Sequence, residues 1–118
     1  MRVASLSVAA SFVPDPSDPT QDHCSPDLDA HNVALVTAKV VDEAGAPLSN
    51  ARVAGRFLDG YWMDLAASGR TDAAGEVRFA FSGPCGVGAI TFLVDDVELA
   101  GFSLDRSGGV LVASAIPQ

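Results

Sequence analysis

The chain has 118 residues, a formal net charge of −8 and a sequence pI near 4.3. With 48% hydrophobic residues and a mean hydropathy of +0.27, it is too apolar for a disordered segment and long enough for one domain with a modest core. The acidity argues against nucleic acid or an anionic membrane surface as a partner, because both repel an acidic face, and solubility is enough to account for it. No run approaches the ~20 apolar residues of a membrane-spanning helix.

At the N-terminus, MRVASLSVAASFV places apolar residues after Arg2, as a signal peptide does. Serines interrupt the run, however. Ala4, Leu6, Val8, Ala10 and Phe12 alternate with Ser5, Ser7 and Ser11. Period two predicts a half-buried strand over residues 3–13 and no export signal. PDPSDPTQDHCSPDLDAHN follows, residues 14–32, with four prolines and five aspartates. That composition excludes regular structure, and so long a loop in so short a chain is more often functional or tied down than idle.

A second strand is predicted over residues 33–41, with Ala34, Val36, Ala38 and Val40 on one face and Thr37 and Lys39 on the other. Asp42-Glu43-Ala44-Gly45-Ala46-Pro47 makes the turn. Gly45 gives the backbone its freedom, and Pro47 stops the ladder. In the third strand, residues 51–58, Ala51, Val53, Gly55 and Phe57 face inward and Arg52 and Arg56 outward. Asp59-Gly60 opens another turn, and the pattern leaves Tyr61-Trp62-Met63 open between strand and loop. Residues 65–70 read as a short strand, and Thr71-Asp72-Ala73-Ala74-Gly75 as a tight turn. Residues 76–81 give the clearest strand, with Val77, Phe79 and Phe81 inward and Arg78 outward. A loop is expected from Ser82 to Gly88, then a strand over residues 89–94 that Asp95-Asp96 interrupts. Residues 97–104 and 110–113 are expected to close the fold. The spacing predicts a two-sheet all-β sandwich of about seven to nine short antiparallel strands and no helix.

Three stretches, VTAKVVDEAGAPLSNARVAGRF, TDAAGEVRF and GAITFLVDDVELAGFSLD, resemble the bacterial immunoglobulin-like domains. These are Greek-key β-sandwiches strung along surface adhesins of the invasin type and appended to secreted enzymes. The shared pattern is a strand, D-x-x-G-x-P-hydrophobic, a small-residue strand, T-D-x-x-G and an apolar strand. It runs here over residues 33–105, and the same grammar occurs in transthyretin-like and carboxypeptidase-regulatory-like modules. The resemblance implies a single immunoglobulin-like domain over residues 1–118 that spaces, adheres or decorates without catalysis or a cofactor. Its expected partner is another protein or further copies of itself, at an extracellular or cell-surface site or on a virion. The family pattern does not include the long loop at 14–32. Two other readings are a carbohydrate-binding accessory module of a secreted enzyme and a virion decoration or filament subunit.

Candidate chemistry is sparse. Cys24 and Cys85 are the only cysteines, and each falls in a Pro- or Gly-containing loop and not at a core strand position. In an oxidising compartment a bond between them would tether the long loop, contributing about 3–5 kcal/mol; in a reducing one they stay thiols. Asp22, His23, Cys24, Asp27, Asp29 and His31 are the densest group of metal-ligand types, but their spacing matches no zinc finger. Asp15, Asp18, Asp22, Asp27 and Asp29 supply oxygens suited to calcium, with Asp22, Asp27 and Asp29 the central set, although no D-x-D-x-D-G loop organises them. A solvated acidic loop explains the same residues. Cys24 with His23 or His31 lacks an oxyanion-hole signature, and Asp95-Asp96 reads as a solvated strand end. Tyr61 and Trp62, with Met63, form the one aromatic pair. In a strand one ring would face outward and suit a sugar or a protein contact, whereas burial of Trp62 would plug the core's open end. Exposure of Leu58, Met63 and Leu99 would point to an interface patch.

Overall fold

The computed structural model describes residues 1–18, 20, 31–58, 64–84 and 88–117. Among them are seven strands and no helix: β1 (Arg2–Val13), β2 (His31–Val41), β3 (Arg52–Leu58), β4 (Asp64–Arg70), β5 (Glu76–Pro84), β6 (Ile90–Glu98) and β7 (Val112–Ala115). They form two antiparallel sheets, one ordered β1-β2-β5 and the other β4-β3-β6-β7. β2 lies beside β5 and β3 beside β6, the non-sequential pairings that interlock an immunoglobulin-like Greek-key sandwich. The fourth strand pairs with β3 and not with the fifth strand, so the sheets divide three and four.

The expected alternation produces the core. Ala34, Val36, Ala38 and Val40 of β2, Val53 and Phe57 of β3, Val77, Phe79 and Phe81 of β5, and Ile90, Phe92 and Val94 of β6 are all buried. Four phenylalanines form its centre. Phe57 stacks on Phe81 at 5.3 Å and meets Phe92 edge-on at 4.9 Å, and Phe79 stacks on Phe92 at 5.0 Å. Such ring pairs add about 0.5–1.5 kcal/mol beyond the area they bury. Gly55 makes room for them, since a Cβ there would lie 2.7 Å from the Phe92 ring and 2.5 Å from the Leu93 carbonyl.

Two bulges separate the structure from the simple alternation. In β1, Val3 pairs with Val40 and Ser5 with Lys39, so Ala4 is the extra residue. The inward face therefore changes phase: Met1 and Val3 are buried and Ala4 is exposed, and Leu6, Val8, Ala10 and Phe12 resume half-buried. In β6, Ala54 faces Asp96 and Gly55 faces Val94, leaving Asp95 as the extra residue. Asp95-Asp96 thus does not end the strand. β6 runs through it to Glu98, and Val97 turns inward at 3% exposure. The segment after Glu98 is a loop and not the strand expected to Leu104, and β7 begins at Val112. Ser82 to Pro84 extend β5 because they pair with β2 as far as His31.

At one end of the sandwich two turns share one design. Asp42 Oδ1 accepts the N–H groups of Ala44 and Ala46, and Asp72 Oδ1 accepts those of Ala74 and Glu76, at 2.9–3.0 Å. Gly45 and Gly75 both take positive φ, at 87° and 77°. The Gly75 carbonyl also accepts the Val40 N–H at 2.8 Å, so the second turn clasps β2 beside the first. Thr71 accounts for the threonine of T-D-x-x-G. It is 5% exposed, its Oγ1 donates to the Leu48 carbonyl at 2.6 Å, and it accepts the Ala51 N–H at 2.9 Å. One hydroxyl therefore ties the β4–β5 turn to the entry of β3.

Candidate interaction surface

The residues singled out for chemistry (Asp22, His23, Cys24, Asp27, Asp29, Tyr61, Trp62, Met63 and Cys85) lie outside the described residues. The strand ends on either side of them share one end of the sandwich, because alternate strands run in opposite directions. Val13 pairs with His31, His31 with Pro84, and Leu58 with both Asp64 and Thr91. Of the hydrophobic residues weighed as an interface patch, Leu58 and Leu99 are half-buried, and Leu99 packs against the core. His31 takes its place at the start of β2. Asp15 accepts the Ser17 N–H and hydroxyl at 2.8 Å, and the Thr20 hydroxyl donates to Asp18 at 2.9 Å, which organises the start of the acidic loop as local turns.

The outer face of the four-stranded sheet is charged. Arg56 lies at its centre, its Nη1 donating to Asp64 Oδ2 on β4 at 3.2 Å. Its Nε sits 3.3 Å from Asp95 Oδ1 as an ion pair, without hydrogen-bond alignment. The hydrogen bond to Asp64 and then the field of Asp95 raise the Arg56 pKa above its ordinary value. Asp95 shares the outward parity of Leu93, the residue paired with Arg56, and so lies within reach of Arg56. Arg106 extends the row, donating to the Asp95 carbonyl at 2.7 Å and pairing with Asp96 at 3.8 Å. These side chains are exposed, so the row shapes the surface more than it stabilises the fold.

The outer face of the three-stranded sheet has a different chemistry. Ala9 and Ser11 of β1, Val33 and Leu35 of β2, and Ala80 and Ser82 of β5 surround a shallow depression of about 510 Å³. Register places Ala9, Leu35 and Ala80 in one row and Ser11, Val33 and Ser82 in the next. Leu35 stands 47% exposed at its centre. Charge returns only towards the turn end, where Lys39 pairs with Glu76 and Arg78 follows. The signal was present in the sequence: Val33 and Leu35 are apolar at positions whose parity, shared with Thr37 and Lys39, faces out. Two further depressions flank Phe102, which is 43% exposed, and Arg52 and Arg70 line one of them from directly opposite positions on β3 and β4.

Among the described residues no group of three or more His, Cys, Asp or Glu side chains is close enough to hold a metal ion. Among the described residues, fold and surface define an all-β sandwich of seven strands, with one charged outer face and one lined by small and apolar residues around the exposed Leu35. Comparison with protein-family models, with curated proteins and with solved structures finds no match in any of the three.

Proposed function

We propose that the chain is a non-catalytic immunoglobulin-like module of the invasin and adhesin kind. It works by protein–protein contact on a cell surface, a secreted protein or a virus-like assembly. The supporting observation is the outer face of β1-β2-β5. A sheet face with Leu35 half exposed among alanines, serines and valine is poorly matched to water and well matched to another protein surface. The cross-tied turn end supports the same reading, since the Asp42 and Asp72 turns and the Thr71 latch make a stiff body suited to spacing and presentation. The test is binding of the purified, labelled protein to intact cells or particles of its source, before and after proteolysis and, separately, glycosidase treatment of their surface. Binding lost on proteolysis supports a protein partner. Binding that survives proteolysis and disappears with the glycosidase overturns the reading in favour of a glycan.

A further inference from the structure

We infer that the turn end of the sandwich carries a protein-binding site built on Phe102 and the arginine pair Arg52 and Arg70. Its occupant is a segment of a partner protein that sets a carboxylate between the two guanidinium groups, an apolar side chain on the ring, and a basic group beyond it at Asp42 and Glu43. The inference rests on the protein-contact reading above and names the chemistry that the partner brings.

Phe102 is held out by its surroundings. β6 ends at Glu98 and the chain turns at once: the Phe102 N–H donates to the Leu99 carbonyl at 3.0 Å, with Gly101 at a φ of 87°. The segment is pinned on both sides of the ring. Leu99 and Leu104 pack against the core, the Ser103 carbonyl accepts the Met1 ammonium at 2.9 Å, and the Asp105 N–H donates to the Met1 carbonyl at 2.8 Å. Between these anchors Phe102 stays 43% exposed. A large apolar ring is thus presented to solvent by a fixed loop, and a ring already held in place loses little freedom on binding.

On one flank of the ring is a depression of about 460 Å³ whose charge comes from Arg52, Arg70 and Glu98. Arg52 and Arg70 are directly opposite each other on β3 and β4, and Glu98 faces Arg52 from β6. Like charges so placed repel, their Cβ atoms being about 4.5–5.5 Å apart. Among the described residues neither arginine forms an ion pair, whereas Arg56 and Arg106 both do. Arg70 is also oriented, its Nη1 donating to the Asn50 carbonyl at 3.2 Å. One carboxylate between the two guanidinium groups accepts charge-assisted hydrogen bonds from both and removes their repulsion as it binds. Two arginines against one glutamate leave this flank positive in a chain of net charge −8. The other flank is a depression of about 510 Å³ lined by Asp42 and Glu43, with the Met1 ammonium turned onto Ser103.

The occupant follows from the two flanks. Opposite charges on either side of one apolar ring select a ligand that carries both signs about an apolar centre. An acidic glycan has carboxylates for Arg52 and Arg70 but meets Asp42 and Glu43 with like charge. A polypeptide supplies the acid, the apolar group and the base together. Arginine and aromatic side chains are also enriched where protein interfaces gain most of their binding energy.

Titration of the isotope-labelled full chain with acetyl-Glu-Leu-Lys-amide, followed by NMR on the arginine Nε–H and backbone N–H signals, tests the site. Saturable shifts at Arg52, Arg70 and Phe102 are expected with a Kd of about 1–10 mM, weak as a tripeptide contact must be. Acetyl-Gln-Leu-Gln-amide is expected to bind at least about fivefold more weakly, because the charge-assisted bonds are gone. Phe102→Ser and the double variant Arg52→Gln, Arg70→Gln are expected to weaken the charged peptide by a similar factor. All three positions are exposed, so the unfolding midpoint is expected to stay unchanged. Absence of saturable shifts, or equal binding by the glutamine peptide or by the variants, overturns the site. Sodium glucuronate binding as tightly as the charged peptide overturns the protein occupant in favour of an acidic sugar. The protein-contact reading keeps its own cell-binding test, which can fail while the peptide binds and succeed while it does not.

Discussion

Thr71→Val isolates the hydroxyl that ties the β4–β5 turn to β3. Valine keeps the volume and the β-branched stiffness of threonine, so extended backbone is preserved and the Oγ1 alone is lost. Two hydrogen bonds go with it, to the Leu48 carbonyl at 2.6 Å and from the Ala51 N–H at 2.9 Å. Leu48 is half-buried, and its carbonyl recovers a water, but Ala51 is 0% exposed and its N–H is stranded. A net bond contributes about 0.5–1.5 kcal/mol and a buried unpaired group costs about 1–3, so the expected loss is about 2–3 kcal/mol. With an unfolding entropy of about 2.1 cal/mol/K per residue, a chain of this length loses ~8–12 °C in Tm. Thermal and urea unfolding measure the loss, with an unchanged m-value showing that the denatured state is the same. Thr71→Ser restores the hydroxyl and gives up one methyl, so it is expected within about 1 kcal/mol of the parent. A valine variant within about 0.5 kcal/mol of the parent, or a serine variant as unstable as the valine one, would refute the latch.

Gly55→Ala drives a methyl against the Leu93 carbonyl and the Phe92 ring and is expected to cost at least about 1–3 kcal/mol in urea unfolding, whereas Gly88→Ala, with nothing within 4 Å, is expected to be close to neutral; equal costs would contradict the packing of Phe92 on β3. The pKa of Asp72 is lowered by the backbone N–H of Glu76 and then that of Ala74, and the pKa of Asp105 by the Ser107 hydroxyl and then the Gly108 N–H. Their contribution to stability is therefore whole above the ordinary aspartate value near 3.8 and is lost as pH falls through the lower folded values. Tm followed from pH 7 into acid is expected to fall more gently below that point in Asp72→Asn and Asp105→Asn than in the parent, and superimposable curves would exclude both carboxylates. Whether Cys24 and Cys85, which lie outside the described residues, are bonded is read by mass. An intact mass about 2 Da lower without reductant than with it is expected from protein matured in an oxidising compartment, and identical masses would place the two residues as thiols.

Much of the sandwich was legible residue by residue. The inward positions of β2, β3 and β5 follow from period-two alternation, which depends only on the geometry of an extended chain. The turns at Asp42 and Asp72 were legible for the same reason, since each aspartate bonds N–H groups two and four residues ahead. Both bulges escaped this reading. Ala4 and Asp95 are extra residues only relative to the strands opposite them, and the doubled Asp95-Asp96 that marks the step in β6 reads equally well as the end of a strand. The candidate surface was half legible: the outward parity of Val33 and Leu35 could be read directly, but whether another layer covers them could not.

Local alternation, turn chemistry and charge thus determined that this chain builds a two-sheet β-sandwich and where its oily face lies. Tertiary structure decided the strand order, the placing of β4 beside β3, the ion pair of Asp95 with Arg56 and the place of β1 at the edge of its sheet. The division has a physical cause. Side-chain direction along a strand is a property of consecutive residues, whereas pairing, register and edge position depend on segments dozens of residues apart competing for the same hydrogen bonds.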